Sequence, residues 1–136
     1  EAKKATSMAA ENLCSRVVGD TVYYYAEERD IGGNSTVHKP FLLLPGFDEY
    51  VIGYRDRSPI IEPGRRQQIS GGGGMPKGTM VLRGRVIGTW KLKKDRHYYK
   101  LTPVWFGSES ESTVDKLQTA VRKLSRFLDG RIEIQP

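Results

Sequence analysis

The stretch from Thr113 to Asp129 leaves the chain least freedom. Val114, Leu117, Val121, Leu124 and Leu128 recur every three or four residues, with Ala120 and Phe127 on the same stripe. That spacing predicts a helix with one apolar face. Ser112 stands where an N-cap belongs, Asp115 follows three residues on, and Gly130 supplies a C-terminal stop. A one-faced helix must bury that face, and the residues before it are short β-type runs, so the expected partner is a sheet.

Those runs can be read in order. Phe41-Leu42-Leu43-Leu44 is continuously apolar and suggests a strand buried on both faces. Pro45-Gly46 breaks it, and Phe47 to Tyr54 fits either a helical turn or more strand. Residues 62–79 hold Pro63, the glycines Gly71 to Gly74, Pro76 and Gly78, and read as a mobile loop. Met80-Val81-Leu82 and Val86 to Trp90 flank Arg83-Gly84-Arg85, a hairpin signal with Gly84 at the tip. A turn at Lys93-Lys94-Asp95-Arg96 leads to a strand at His97 to Thr102, Val104-Trp105-Phe106 ends the run, and Arg131 to Gln135 alternates as a last strand.

The N-terminal residues differ in kind. Glu1 to Arg16 has helical spacing, Gly19-Asp20 stops it, and Thr21 to Ala26 is β-branched and aromatic. A helix and then a short hairpin is how a winged helix ends, although any α/β junction would look the same. Residues 27–40 read as a linker, with a boundary near Lys39-Pro40. The expected architecture is α+β: residues 1–40 as the helix–wing end of a winged helix plus linker, and residues 41–136 as an antiparallel, β-barrel-like sheet closed by the C-terminal helix. The chain begins at Glu1, so further sequence upstream is expected.

Several function classes drop out. No apolar run approaches the roughly 18 residues of a membrane span, and Glu1 to Ala10 has no signal-peptide pattern. A soluble, cytoplasmic protein without membrane contact is expected. Cys14 is the single cysteine, which excludes an internal disulfide and a cysteine-built metal site and leaves it as a small core residue on the helix face. His38 and His97 lack metal-ligand spacing, so no metal and no cofactor is expected. Met75-Pro76 follows the glycine run where a phosphate loop needs Lys-Ser/Thr. No nucleophile-elbow sequence occurs, and no catalytic residue is assigned.

Charge points elsewhere. The net charge is +6, distributed as −1 over residues 1–40, +7 over 41–100 and zero over 101–136. A local excess of that kind attracts polyanions through counterion release; a merely solubilising surface is the plain alternative. The candidate phosphate contacts are Arg55, Arg57, Arg65, Arg66, Arg83, Arg85, Lys93 and Lys94. The Arg83-Gly84-Arg85 tip is the most pointed of them, because a guanidinium fork matches phosphate oxygens and glycine permits close approach. Asp48 precedes Arg55 and Arg57 closely enough to pair with them, either to fix a turn or to aim an arginine.

Two motifs in order then carry a resemblance. Leu42 to Ser58 resembles the LLPAFDEYLLGYRDRS signature of bacterial winged-helix DNA-binding proteins related to AlkZ/YcaQ-type DNA glycosylases. Val81 to Trp90 is similar to that family's vvdGrvvGtW segment, with Gly84 and Trp90 in matching places. The resemblance implies a C-terminal part of a larger protein of tandem winged helices and a β-rich end, with double-stranded DNA as partner. It also implies that the glycosylase residues, a Gln-x-Gln-like motif, lie outside this chain, since Gln67-Gln68 has neither the spacing nor the position. A C-terminal β-hairpin is associated with DNA engagement in the family, in agreement with Arg83 to Arg85.

Two readings from other classes stand beside this one. The chain could be a structural domain without DNA contact, forming a homo-oligomer through an open sheet edge. It could also be a small-ligand barrel whose pocket is lined by Trp90, Trp105 and the tyrosines.

Overall fold

The computed structural model describes residues 2–9, 13–25, 41–71 and 74–135, and the chain divides into two compact units, Glu1–Thr36 and Val37–Pro136. In the first unit, α1 (Ala2–Ala9) is followed by a hairpin of β1 (Cys14–Val18) and β2 (Thr21–Tyr25), with Val18 opposite Thr21. The helix expected to reach Arg16 is thus replaced by a strand from Cys14 on. The reason is local: Val17 and Val18 are β-branched, and Gly19 at φ +60° occupies the first position of a two-residue turn that a type II′ hairpin reserves for glycine. Cys14 accordingly sits half-buried on a strand, not in a helix core. The linker expected at 27–40, and its boundary, lie outside the described residues.

The second unit is a five-stranded sheet ordered β3 (Phe41–Leu44), β4 (Gly78–Leu82), β5 (Arg85–Lys94), β6 (Tyr99–Trp105) and β7 (Ile132–Ile134). Pairing is antiparallel from β3 to β6, but β7 runs parallel to β6. The wholly antiparallel expectation fails here because the long helix lies between β6 and β7, and carries the chain back to the end where β6 began. β3 and β7 are the two edges, so the sheet is open rather than a closed barrel. The edge position also explains why Leu42 is exposed, although its run of apolar neighbours suggested burial on both faces.

Side chains alternate between two cores. On one face Met80 and Leu101 are buried against Leu117 and Val121 of α4 (Glu111–Phe127), with Phe41, Trp90, Trp105 and Leu124 around them. On the other face Val81, Val86 and Phe106 meet Val51, Ile61 and Ile69. Val51 belongs to α2 (Glu49–Ile52) and Ile69 to α3 (Arg66–Ile69), which settles Phe47 to Tyr54 as a helical turn. The presumed loop 62–79 is therefore partly structured. Ile69 anchors α3 in the core, Lys77 N–H donates to the Ile69 carbonyl at 2.9 Å, and Ser70 bridges to Pro76.

Helix α4 is capped two residues before the expected position. Ser110 is the N-cap, its Oγ accepting from Thr113 N–H at 3.3 Å, and Ser112 lies inside the first turn. At the other end Asp129 takes the left-handed conformation (φ +47°), while Gly130 lies where a Cβ would sit 2.8 Å from the Tyr99 ring. Phe127, assigned to the apolar stripe by spacing, is 83% exposed. Lys93 and Lys94, expected in a turn, continue strand β5 opposite Lys100 and Tyr99. His97, expected on a strand, is exposed in the connection to β6.

Candidate nucleic-acid interface

The β4–β5 turn is tight and pinned. Leu82 pairs with Arg85, leaving Arg83 and Gly84 as the two central residues, both at positive φ (52° and 77°). That is a type I′ turn, whose twist matches the flanking strands. Tyr50 of α2 donates its hydroxyl to the Gly84 carbonyl at 2.8 Å, and Val86 N–H donates to the Ile60 carbonyl at 2.8 Å. The turn is thereby tied to α2, the helix within the Leu42–Ser58 motif. Arg83 and Arg85 are both exposed and, among the described residues, neither has an ion-pair or hydrogen-bond partner. Arg55 is exposed and unpartnered in the same sense.

Three other arginines of the candidate set are engaged within the fold. Arg57 donates from Nε to the Tyr54 carbonyl at 3.2 Å and from Nη2 to the Ile52 carbonyl at 3.5 Å, and so satisfies the C-terminal end of α2. Arg65 lies over the Phe106 ring at 5.6 Å and 3.6 Å from the Glu62 carboxylate. Arg66 faces Asp56 at 3.8 Å, a long and exposed pair that contributes little. The Ser58 backbone and side-chain hydrogen bonds, aided by Arg66, hold the Asp56 carboxyl below the ordinary carboxylate range. Asp48 pairs with neither Arg55 nor Arg57. It is the N-cap of α2, its Oδ1 accepting from Tyr50 N–H at 3.0 Å, because a side-chain oxygen at that position satisfies an otherwise open helix donor.

The far end of β5 carries the second cluster. Lys91 and Lys93 are exposed on alternate positions, and Lys94 lies 5.9 Å from the Tyr99 ring. Lys100 is neutralised by Asp95 at 2.7 Å. That hydrogen bond, with help from the Arg96 N–H, lowers the Asp95 pKa, and the same bond together with Tyr98 raises that of Lys100. Trp90 is a structural post: its Nε1–H donates to the Leu44 carbonyl at 2.9 Å, and its indole lies where a Cβ at Gly78 would be 2.8 Å away. Eight residue steps at about 3.3 Å put Arg85 and Lys93 at most about 26 Å apart. The eight cations are thus not one patch: some are free at either end of β5, and three arginines are engaged within the fold. Lys77 and Lys91 belong to the same basic block by sequence but stand outside the eight candidate contacts. The alternation Lys91-x-Lys93 was a usable signal for one; nothing local marked the other.

Three concavities surround these groups. One of about 410 Å³ beside Arg85 is lined by Glu62 and Glu109 as well as Trp105, and so does not favour an anion. One of about 430 Å³ takes in Arg57, Arg66 and Phe47. The third, about 530 Å³, is lined by Lys77, Lys91 and Lys93 with Trp90 and Met75, and by no carboxylate. Trp90 and Trp105 otherwise pack in the helix-facing core, and no tyrosine lines any of the three. Among the described residues no group of three His, Cys, Asp or Glu side chains could hold a metal, and no helix is long and apolar enough to cross a membrane.

Comparison with known proteins agrees with both motifs. The family model for AlkZ-like DNA glycosylases matches residues 1–127. The solved structure of Streptomyces sahachiroi DNA glycosylase AlkZ is similar, with a TM-score of 0.69 at 19% identity over 98% of this chain and 36% of that one. The chain therefore spans about a third of that relative's length. No curated protein matches. With the match running from α1 through nearly all of α4, and both sequence motifs folded side by side at the Tyr50–Gly84 contact, the chain belongs to the AlkZ-like DNA glycosylase family.

Proposed function

We propose that this chain is a DNA-contacting portion of a DNA-repair glycosylase of the AlkZ type, and that it holds duplex DNA by its phosphates while the base-excising residues lie in another part of the protein. The observation that carries the reading is the β4–β5 turn. Arg83 and Arg85 flank a glycine on a pinned hairpin turn, are both exposed, and have no ion-pair or hydrogen-bond partner among the described residues. Unengaged guanidiniums at such a tip suit phosphate contact, which fixes a protein on a duplex without reading sequence. Arg55 adds to this end. Arg57 and Arg65 contribute field rather than contact, because their guanidiniums are already held, whereas the weak, exposed pair of Arg66 leaves it open to a phosphate. The helix and hairpin of the first unit support reading residues 1–40 as the end of a winged helix.

The measurement is the affinity of the 136-residue chain for a short duplex at two salt concentrations. Charge reversal at Arg83 and Arg85 should weaken binding alike for all sequences and lower the salt slope by about two. Unchanged affinity and slope would remove the turn from the interface.

A further inference from the structure

We propose that the groove of about 530 Å³ beside the C-terminal half of β5 is a second nucleic-acid site, which takes a single-stranded phosphodiester segment. This rests on the reading that the protein binds DNA, but assigns a different site and a different strand state.

The groove exists because β5 outruns its neighbour. Pairing with β4 ends at Gly78 opposite Trp90, whereas pairing with β6 continues to Lys94. Beyond Trp90 one side of β5 is therefore open. The Pro45-Gly46 turn and the segment around Met75 to Lys77 form the facing wall. The two parts of that wall are in close contact: a Cβ at Gly46 would run into the Pro76 carbonyl, and one at Gly71 into the Met75 carbonyl.

Two properties select the occupant. Three lysines reach the groove, from opposite walls: Lys91 and Lys93 from β5, Lys77 from across. None has an ion-pair partner among the described residues, and no carboxylate lines the space. The lining between them is apolar: Met75, which is 62% exposed, beside Trp90 and Leu92, which also pack in the helix-facing core. Lysines alone could merely guard an open strand edge against aggregation. That role, however, calls for no cation on the far wall and no exposed methionine between. A duplex presents phosphates and hides its base faces, so it would leave the apolar lining unused. A single strand presents both, and a cationic rim around an apolar lining is the arrangement that binds it without sequence preference.

The test uses fluorescence anisotropy of the intact 136-residue chain with labelled oligothymidine and with a labelled duplex, at low salt. Lys91→Glu with Lys93→Glu should lower oligothymidine affinity about tenfold and duplex affinity less than about threefold. Arg83→Glu with Arg85→Glu should do the reverse. Met75→Asp should weaken oligothymidine binding and leave the duplex unaffected. All five positions are exposed, so an unchanged melting temperature verifies the fold of each variant. Equal losses for both nucleic acids in the lysine variant would make the groove part of a general basic surface and overturn the proposal. Duplex binding without oligothymidine binding would overturn the groove and leave the turn standing. Binding of neither would overturn both.

Discussion

Arg83 occupies a position that its own backbone disfavours, and replacing it separates stability from binding. Its φ of 52° is left-handed, and the next residue, Gly84, is at 77°. A type I′ turn takes Asn-Gly most readily, because the short Asn side chain tolerates the left-handed region and bonds locally. Asn is several-fold enriched there over longer side chains, which corresponds to about 0.5–1 kcal/mol. Arg83 has no internal contact among the described residues that would offset this. Arg83→Asn should therefore stabilise the protein by about 0.5–1 kcal/mol, and raise the melting temperature by roughly 2–8 °C for a unit of about a hundred residues.

The same substitution removes one free guanidinium from the hairpin tip. Duplex affinity should fall several-fold and the salt slope by about one. Calorimetry and anisotropy on one preparation read both effects, with Arg83→Lys as the control that keeps the charge and the strain. A melting temperature that stays put or drops would refute the strain argument. Undiminished binding would refute the phosphate contact, and a residue held in strain would then lack a reason to be arginine.

Other consequences can be measured alongside. Tyr50→Phe removes the hydroxyl bond to Gly84; about 0.5–1 kcal/mol of stability should go with it, and amide exchange at Gly84 and Arg85 should speed up. Thr79 is fully buried and its Oγ1 has no hydrogen-bond partner among the described residues, so Thr79→Val should stabilise by about 1 kcal/mol in denaturant titration; a loss would mean the hydroxyl is satisfied. The Asp95–Lys100 pair has a sign at each end of the pH scale. Asp95 is depressed, so its contribution is present above the ordinary carboxylate range and is lost as pH falls through its folded value. Lys100 is raised, so its contribution is present below the ordinary lysine range and is lost as pH rises through its folded value. Lys100→Met should abolish the alkaline dependence in thermal melts taken across pH and shrink the acid one, which the Arg96 N–H bond to Asp95 keeps in part.

What the sequence disclosed follows from the range of the forces involved. The hairpin at Arg83-Gly84 and helix α4 were legible because their signals, period and turn chemistry, are local. Ser108, Ser110 and Ser112 are all acceptable caps, and the choice of Ser110 depends on how α4 meets the sheet. Helix α3 was hidden because its stabilisation comes from Ile69 in a core made by distant strands, not from propensity within a glycine-rich stretch. The basic excess was legible as a sum. Which cations are free was not, because Arg57 is held by carbonyls and Arg65 by a ring forty-one positions away at Phe106.

Both free clusters ride on one strand, and this fixes a length. Arg85 and Lys93 are at most about 26 Å apart on β5, whose pairing with β4 shifts register between Val86 and Gly88 and which pairs with β6 from Gly88 to Lys94. Loop motion cannot shorten that distance. A DNA that occupies turn and groove together must bridge it, which takes about eight base-pair steps at 3.4 Å each, or fewer nucleotides of extended single strand. Joining two contacts in one molecule makes the second intramolecular, so affinity should rise abruptly, not gradually, once a tailed duplex reaches the span. The check is a series of duplexes with single-stranded tails of increasing length, compared on the natural chain and on Lys91→Glu with Lys93→Glu. A step that disappears in the lysine variant is expected. A smooth rise with length, equal in both proteins, would mean that the two clusters act only through their summed field.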